Sequence, residues 1–92
     1  MLMDRINEGT VRFQLDSEGI KETKRVLSEV CEALQEKGYD PVDQLVGYFI
    51  SGDPAYITNH RDARTLIKRL DKDELLEEMV RFYLRGIGVF HP

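Results

Sequence analysis

The chain has 92 residues, of which 41% are hydrophobic and 33% charged, values typical of one soluble globular domain. Its net charge of −4 and pI near 5.1 argue against a general nucleic-acid binder, because neutralising phosphates requires an excess of Lys and Arg. The single cysteine, Cys31, cannot form an internal disulfide and suits a reducing cytoplasm. No apolar run approaches the length of about 18 residues that insertion into a membrane requires. We therefore predict one cytoplasmic domain over residues 1–92.

Residues 1–17 are predicted to form a flexible leader or arm, because the stretch offers few apolar anchors. Within it, Thr10 to Leu15 alternates apolar and polar residues, which is the period of a β-strand. A single strand has no partner to pair with. This stretch is therefore either an ordered arm lying against helices or a peptide presented to another protein.

Two helices are predicted next, within a helical core over residues 18–86. Apolar residues spaced three and four apart predict an amphipathic helix from Ile20 to Lys37, which Gly38 ends. Asp40 followed by Pro41 predicts an N-cap and a first helical residue, so that the second helix covers about 41–51. Gly52 ends this helix.

The second helix has no polar face in its central part, and a helix that is apolar all round must be buried all round. One domain of this size can hardly surround a helix, so we predict that a second subunit does so, with Gly47 permitting close approach of its backbone. The alternative is a central core helix in a monomer. The residues assigned to the core and the dimer contact are Leu45, Val46, Gly47, Tyr48, Phe49 and Ile50, together with Phe82 of the last helix.

The second half of the core is predicted to contain a short helical turn over 55–57 and a helix over about 60–70. Asn59, with Asp62 three residues later, resembles a capping pair for that helix.

Asp71, with Glu74 three residues later, predicts the cap of a last helix that runs to about residue 85. Phe82 and Tyr83 are neighbours, so they point about 100° apart on a helix. We predict that one of them faces the core and the other a second surface, and we place Phe82 in the core. Two glycines then release a tail over residues 87–92.

Catalytic, cofactor and metal sites are not predicted. Metal ligands must cluster, and the only nitrogen and sulfur candidates are His60, His91 and Cys31, which are far apart in the sequence. Cys31 lies on the apolar stripe of its helix, where a buried structural cysteine is expected rather than a nucleophile.

The helix over 60–70 carries four basic residues. One interpretation is a solvated face that the acidic start of the last helix neutralises. The other is a docking site for an acidic peptide or a phosphate, which arginines bind with two hydrogen bonds. The residues concerned are Arg61, Arg64, Lys68 and Arg69.

Several stretches resemble the IreB family, and the resemblance covers about Thr10 to Gly86. Its most specific signatures are Gly-Tyr-x-Pro, at Gly38 to Pro41, and Ser-Gly-Asp-Pro-Ala-Tyr, at Ser51 to Tyr56. The stretches that match are 10–13, 33–41, 44–48, 51–56, 62–64, 73–78 and 83–86.

The resemblance implies a small cytoplasmic regulatory phosphoprotein of the kind found in Gram-positive bacteria, an all-helical homodimer with a flexible N-terminal segment. It also implies phosphorylation of an N-terminal threonine by a transmembrane PASTA-type Ser/Thr kinase, opposed by a phosphatase, in control of cell-envelope stress and cephalosporin resistance. Of the family's two leader threonines, the second matches Thr10, whereas Asn7 stands in place of the first.

We accordingly predict an all-α protein, a compact bundle of four to five short helices in an intertwined or closely packed homodimer, without enzymatic activity. Its predicted partners are the kinase, the phosphatase and a downstream protein that the sequence does not identify. A nucleic-acid-associated factor using the 60–70 helix is the alternative function, and a small enzyme with an unseen pocket is a third.

Overall fold

The computed structural model describes residues 17–89, which form four α-helices and two 3₁₀ turns and include no strand. The α-helices are α1 (Ser17–Glu36), α2 (Pro41–Ser51), α3 (Ala63–Lys68) and α4 (Lys72–Gly86). The 3₁₀ turns, Pro54–Tyr56 and His60–Asp62, lie between α2 and α3. The all-helical prediction is thereby confirmed. The predicted leader up to residue 16, the alternating stretch Thr10 to Leu15 and residues 90–92 of the tail lie outside the described residues.

Helix α1 supplies the largest share of the core. Its apolar stripe buries Val26, Val30 and Leu34 completely, as the spacing of three and four residues predicts. Gly38 then takes a left-handed conformation with φ of 84°, and the N–H of Tyr39 donates to the carbonyl of Leu34 at 2.9 Å. This hydrogen bond satisfies a backbone carbonyl that the end of the helix would otherwise leave unpaired.

Helix α2 has the predicted bounds because both of its ends are capped locally. The Asp40 carboxylate accepts a hydrogen bond from the N–H of Val42 at 2.9 Å, and Pro41 occupies the first helical position. At the other end, Gly52 has a φ of 73° and its N–H donates to the carbonyl of Tyr48 at 2.7 Å. Glycine adopts this left-handed conformation without strain because it has no Cβ atom.

Helix α2 is covered on one face only within one chain. Tyr48 is its one buried residue, and Ile50 is 82% exposed. One face of α2 packs on the core and the other faces outward, because no element between residues 17 and 89 covers it. The alternative of a central core helix in a monomer was therefore wrong for the described residues, whereas coverage by a second subunit stays a prediction.

The need for glycine at position 47 is explained by a contact within the same chain. A Cβ at this position would collide with the ring of Tyr56 from the first 3₁₀ turn. The Gln44 side-chain amide also donates to the carbonyl of Tyr56 at 2.9 Å, which fixes that turn against α2. Within one chain, the close approach that Gly47 permits is therefore that of Tyr56. Close approach of a partner's backbone stays a prediction.

The predicted 60–70 helix is broken. Arg61 and Asp62 have φ values of 55° and 60°, left-handed conformations that end the 3₁₀ turn before α3 begins at Ala63. Asn59 makes no side-chain capping bond. The Thr58 hydroxyl instead accepts from the N–H of His60 at 3.1 Å. The predicted Asn59 cap was wrong, because Thr58 one residue earlier takes that role.

Helix α4 begins at the predicted cap but is poorly covered. The Asp71 carboxylate accepts from the N–H groups of Asp73 and Glu74 at 2.9 and 3.2 Å. Leu75 is the helix's one buried residue, whereas Phe82 and Tyr83 are 72% and 68% exposed. The prediction that one of these two rings faces the core was wrong for the single chain, because nothing described packs over the second half of α4.

The core lies between α1, α3 and the connections around them. The Cα radius of gyration is 15.0 Å, above the roughly 12 Å expected of a compact chain of this length. The excess indicates an elongated molecule. The buried apolar residues are Val26, Val30, Ala33, Leu34, Tyr48, Ile57, Ala63, Ile67 and Leu75.

Candidate functional site: two apolar surfaces around α4

The first candidate surface, the α2–α4 face, is an apolar depression of about 380 Å³ between the second and last helices. Ile50, Tyr83 and Val80 are its most exposed members, at 82%, 68% and 52%. Phe49, beneath them, packs against the core and lies 5.7 Å from Tyr48 between ring centroids. The lining residues are Val46, Phe49, Ile50, Leu76, Met79, Val80 and Tyr83.

The second surface, the α1–α4 groove, lies on the other flank of α4 and also has a volume of about 380 Å³. Lys24 and Glu78 are its charged members. Met79 and Tyr83 line both surfaces, so the apolar area continues around α4. The remaining lining residues are Ile20, Thr23, Leu27, Leu75 and Phe82.

Continuous exposed apolar area of this kind is characteristic of a protein interaction site. Soluble monomers seldom expose more than a few hundred Å² of contiguous apolar surface, and larger patches mark contacts with other chains. The surfaces arise because α4 carries apolar residues on more than one side, while the rest of the described chain covers only the side of Leu75.

The residues predicted for the core and the dimer contact divide into two groups. Tyr48 is buried, and Leu45 and Phe49 are half-buried against the core. Val46, Ile50 and Phe82 are exposed and belong to the two surfaces rather than to the core of one chain. Gly47 lies beneath Tyr56.

The predicted basic residues do not form one free patch. Arg61 donates to Glu36 at 2.9 Å and to Glu32 at 3.4 Å, both on α1. Arg69 lies 3.6 Å from a carboxylate oxygen of Glu22, again on α1. The glutamates of α1 therefore neutralise these charges, and the prediction that the acidic start of α4 does so was wrong.

The other two basic residues differ from each other. The Arg64 guanidinium donates from Nε to the carbonyl of Ile57 at 2.8 Å, so it fixes the loop before α3. Lys68 is exposed and forms no ion pair with another residue of the 17–89 range. Only one of the four predicted cations is thus open to a phosphate without first losing a partner.

A hydrogen-bonded cluster joins α1 to the second 3₁₀ turn. His60 Nε2 lies 2.6 Å from Glu36 Oε1, while Arg61 contacts the other oxygen of the same carboxylate. The hydrogen bond with His60, aided by the charge of Arg61, lowers the pKa of the Glu36 carboxyl below its ordinary value. This cluster holds the left-handed residues Arg61 and Asp62 in place.

Groups able to perform chemistry are few in the part of the chain that is described. Cys31 is half-buried, and its desolvation raises the pKa of the thiol, which keeps it protonated and weakly nucleophilic. Between residues 17 and 89, no three His, Cys, Asp or Glu side chains are arranged to hold a metal ion. Over the same range, no helix combines the length and hydropathy needed to cross a bilayer.

Sequence reasoning missed the importance of Leu76, Val80 and Tyr56. A usable signal was present in α4, because the apolar residues from Leu75 to Leu84 are too many for one helical face. Nothing local signals the contact of Tyr56 with Gly47, since these residues lie on different elements.

Two comparisons relate the sequence of this chain to known proteins. A family model described as IreB regulatory phosphoprotein matches residues 8–85. A UPF0297 protein of Ruminiclostridium cellulolyticum is 54% identical over 81 residues, which cover 88% of this chain and 91% of that protein.

Proposed function

The chain belongs to the IreB regulatory phosphoprotein family, and on that premise we propose that it is a non-enzymatic cytoplasmic regulator phosphorylated on Thr10. A PASTA-type Ser/Thr kinase adds the phosphate and a partner phosphatase removes it. The protein then acts through a downstream protein partner in the response to cell-envelope stress and in cephalosporin resistance.

The observation that carries this proposal is the family match, which begins at residue 8 and so includes Thr10. Thr10 follows Gly9 and precedes Val11 and Arg12, a stretch without helix signals that a kinase can bind in extended form. A phosphate there adds about −1.5 to −2 charges at neutral pH, a large local change for a short segment.

We further propose that the protein acts as a homodimer in which the α2–α4 face contacts its own copy. In a two-fold dimer the same surface of both subunits meets, so that surface must be complementary to itself. A broad apolar face meets this requirement more easily than a charged face, on which like charges can come together. Pairing would cover Ile50 and Val80, which one chain leaves 82% and 52% exposed.

The alternative of a nucleic-acid-associated factor finds little support. Arg61 and Arg69 are already paired with glutamates of α1, and the net charge is −4. Binding to phosphates through a 60–70 helix would also require a continuous basic face, which the break at Arg61 and Asp62 prevents.

The test is to incubate the purified protein with its cognate kinase and to map the product by mass spectrometry. We expect phosphate on Thr10 and no labelling of the Thr10→Ala variant. Thr65→Ala is the matched control, because Thr65 is an exposed threonine of α3 whose loss should leave the labelling unchanged. Labelling of Thr23, Ser28 or Thr65 in place of Thr10 would contradict the proposal.

The consequence in the cell is tested by comparing cephalosporin resistance in strains that carry Thr10→Ala, Thr65→Ala or the unchanged protein. We expect the first to differ from the other two. Equal resistance in all three strains would show that Thr10 phosphorylation does not control this response.

A further inference from the structure

The α1–α4 groove is an apolar cleft that no element between residues 17 and 89 covers. One wall belongs to α1 and includes Ile20 and Leu27, and the other belongs to α4 and includes Met79 and Phe82. Phe82 is 72% exposed, although aromatic rings are among the side chains that contribute most to protein interfaces. The described residues therefore provide the walls of a binding site but no occupant for it.

The length of the groove fits a short helix. The lining extends from Ile20 to Leu27 on α1 and from Leu75 to Tyr83 on α4, which corresponds to about 10 and 12 Å of helix. Apolar side chains at positions i, i+4 and i+7 of a third helix would cover about 10 Å. This spacing is the one by which apolar grooves recognise amphipathic helices.

The walls also favour a helical occupant over an extended one. Both walls are α-helices, whose backbone N–H and C=O groups bond within the helix and offer no sheet edge. An extended peptide in the groove would leave its own backbone groups unpaired against apolar side chains, which is costly. A helix satisfies its backbone internally and presents only side chains to the walls.

Two opposite charges on the walls indicate what accompanies the apolar stripe of the occupant. Lys24 lies on the α1 wall and Glu78 on the α4 wall. Neither forms an ion pair with another residue of the 17–89 range. The neighbouring Glu77 differs, because it pairs with Arg81 of its own helix. An occupant with a basic residue towards α4 and an acidic residue towards α1 would complement both charges.

We infer that the α1–α4 groove binds an amphipathic helix of another protein, with apolar residues at i, i+4 and i+7, a basic flank at Glu78 and an acidic flank at Lys24. The proposed dimer uses the α2–α4 face, which does not include Ile20, Leu27 or Phe82. The inference names the class of the downstream partner in the proposed function and rests on that function for the partner's role in the cell.

The probe is a synthetic peptide of about 18 residues, longer than the roughly 12–15 residues below which isolated helices are marginal. It carries leucines at i, i+4 and i+7, lysines along one flank and glutamates along the other. A second, neutral peptide has glutamine in place of the flanking charges. Each peptide is titrated into the full chain with isotope-labelled methyl groups, and binding is followed by NMR.

The charged peptide should move the methyl signals of Ile20, Leu27 and Met79, which line the groove. The signals of the buried Ile57 and Ile67 should stay in place and report that the fold is intact. Unchanged groove signals at millimolar peptide would overturn the inference. Movement of the same signals when the protein alone is diluted would show that a second copy occupies the groove, which would also overturn it.

The apolar contact is tested by Phe82→Ser. This change should weaken binding of the charged peptide about tenfold or more, because truncation of an aromatic residue at the centre of an interface is costly. Val80→Ser is the matched control, since Val80 is 52% exposed on the same helix but lines the α2–α4 face and not the groove. It should bind as the wild type does. An equal loss in both variants would place the peptide elsewhere on α4.

The charges are tested by Glu78→Gln and Lys24→Gln. Each should weaken binding of the charged peptide by up to about fivefold, the upper range for one exposed ion pair, and leave binding of the neutral peptide unchanged. Glu77→Gln and Lys21→Gln are the controls, because they remove the same charges nearby on the same helices but outside the groove. Equal effects on the charged and neutral peptides would contradict the assigned flanks.

The peptide experiment uses neither kinase nor phosphate. Failure of the peptide to bind would therefore overturn the helical partner and leave phosphorylation of Thr10 to its own test. Absence of phosphate on Thr10 would contradict the proposed function, while binding in the groove would still support the helical partner.

Discussion

At the scale of single residues, Gly47 leaves room for a loop to pack closely on α2, because glycine has no side chain. The ring of Tyr56 lies where a Cβ of residue 47 would be, and the carbonyl of Tyr56 accepts a hydrogen bond from Gln44. Glycine inside a helix sacrifices about 1 kcal/mol of helix propensity relative to alanine. The contact with Tyr56 is the compensating interaction.

Gly47→Ala is therefore expected to depend on Tyr56. In the wild-type chain the added methyl displaces the ring, and overpacking of this kind costs about 1–3 kcal/mol. In a Tyr56→Ala background the same change should stabilise the protein by up to about 1 kcal/mol, because only the helix propensity remains. Denaturant unfolding of the four proteins measures the coupling.

Gly86→Ala is the matched control, because a Cβ at that position of α4 meets nothing within 4 Å. It should be neutral or slightly stabilising in both backgrounds. An equal effect of Gly47→Ala with and without Tyr56 would show that the ring does not determine the need for glycine.

Glu36 gives a dependence on pH at the same scale. Its hydrogen bond with His60 lowers the pKa of the carboxyl in the folded state. A lowered folded-state pKa means that its contribution to stability is present above the ordinary value of 4.5 and is lost as the pH falls through the folded-state value. The expected loss is therefore confined to acid pH.

An NMR titration of the Glu36 carboxyl carbon checks this prediction. His60→Ala should raise the midpoint towards 4.5, because it removes the largest cause of the shift, and Arg61→Ala should raise it less. Asn59→Ala serves as the control, since that side chain makes no capping bond. A midpoint that is the same in all four proteins would remove this cluster as the cause.

At the scale of elements, the helix ends differ in how they are stabilised. Asp71 accepts two backbone hydrogen bonds at the start of α4, whereas Asn59 accepts none before the second 3₁₀ turn. Both residues have a side chain that is favoured at an N-cap. Only Asp71 stands where its side chain reaches backbone N–H groups of the helix that follows.

Asp71→Ala should consequently cost about 1 kcal/mol of unfolding free energy, the usual loss for an N-cap. Asn59→Ala should change it by less than about 0.5 kcal/mol, as expected of a surface substitution without a bond to lose. Thermal denaturation of both variants provides the comparison. A larger loss for Asn59→Ala than for Asp71→Ala would contradict the capping seen here.

At the scale of the whole molecule, the uncovered sides of α4 are the main feature. The last helix is anchored by Leu75 and continues with exposed apolar residues. The proposed dimer would cover the α2–α4 face. The two surfaces meet at Met79 and Tyr83, so the apolar area continues around α4.

The proposed dimer predicts that charge on the α2–α4 face separates the subunits. Ile50→Asp or Val80→Asp should convert a dimer at micromolar concentration into a monomer, because dimerisation would bury an unpaired carboxylate. Light scattering measures the mass. Val42→Asp is the matched control, because Val42 is 66% exposed on α2 but does not line the face.

The control should remain dimeric. A wild-type protein that is monomeric at micromolar concentration would contradict the proposed dimer directly. Dissociation of Val42→Asp to the same extent as Val80→Asp would instead indicate that the interface lies elsewhere on α2.

The sequence by itself determined the helical class and most helix ends. The bounds of α2 and the start of α4 follow from Asp40, Pro41, Gly52 and Asp71, because a cap is a bond between residues two to four apart. The family resemblance was also readable from short signatures, and the match over residues 8–85 confirms it.

Only the tertiary structure decided which partners the side chains find. Arg61 contacts Glu36 and Glu32, which lie 25 and 29 positions away in the sequence. These contacts accompany the left-handed conformations of Arg61 and Asp62, which no local sequence pattern predicts. The same holds for Phe82, whose apolar character predicted burial although no element between residues 17 and 89 lies over it. Periodicity identifies which residues are apolar, whereas packing between distant elements determines which of them are covered.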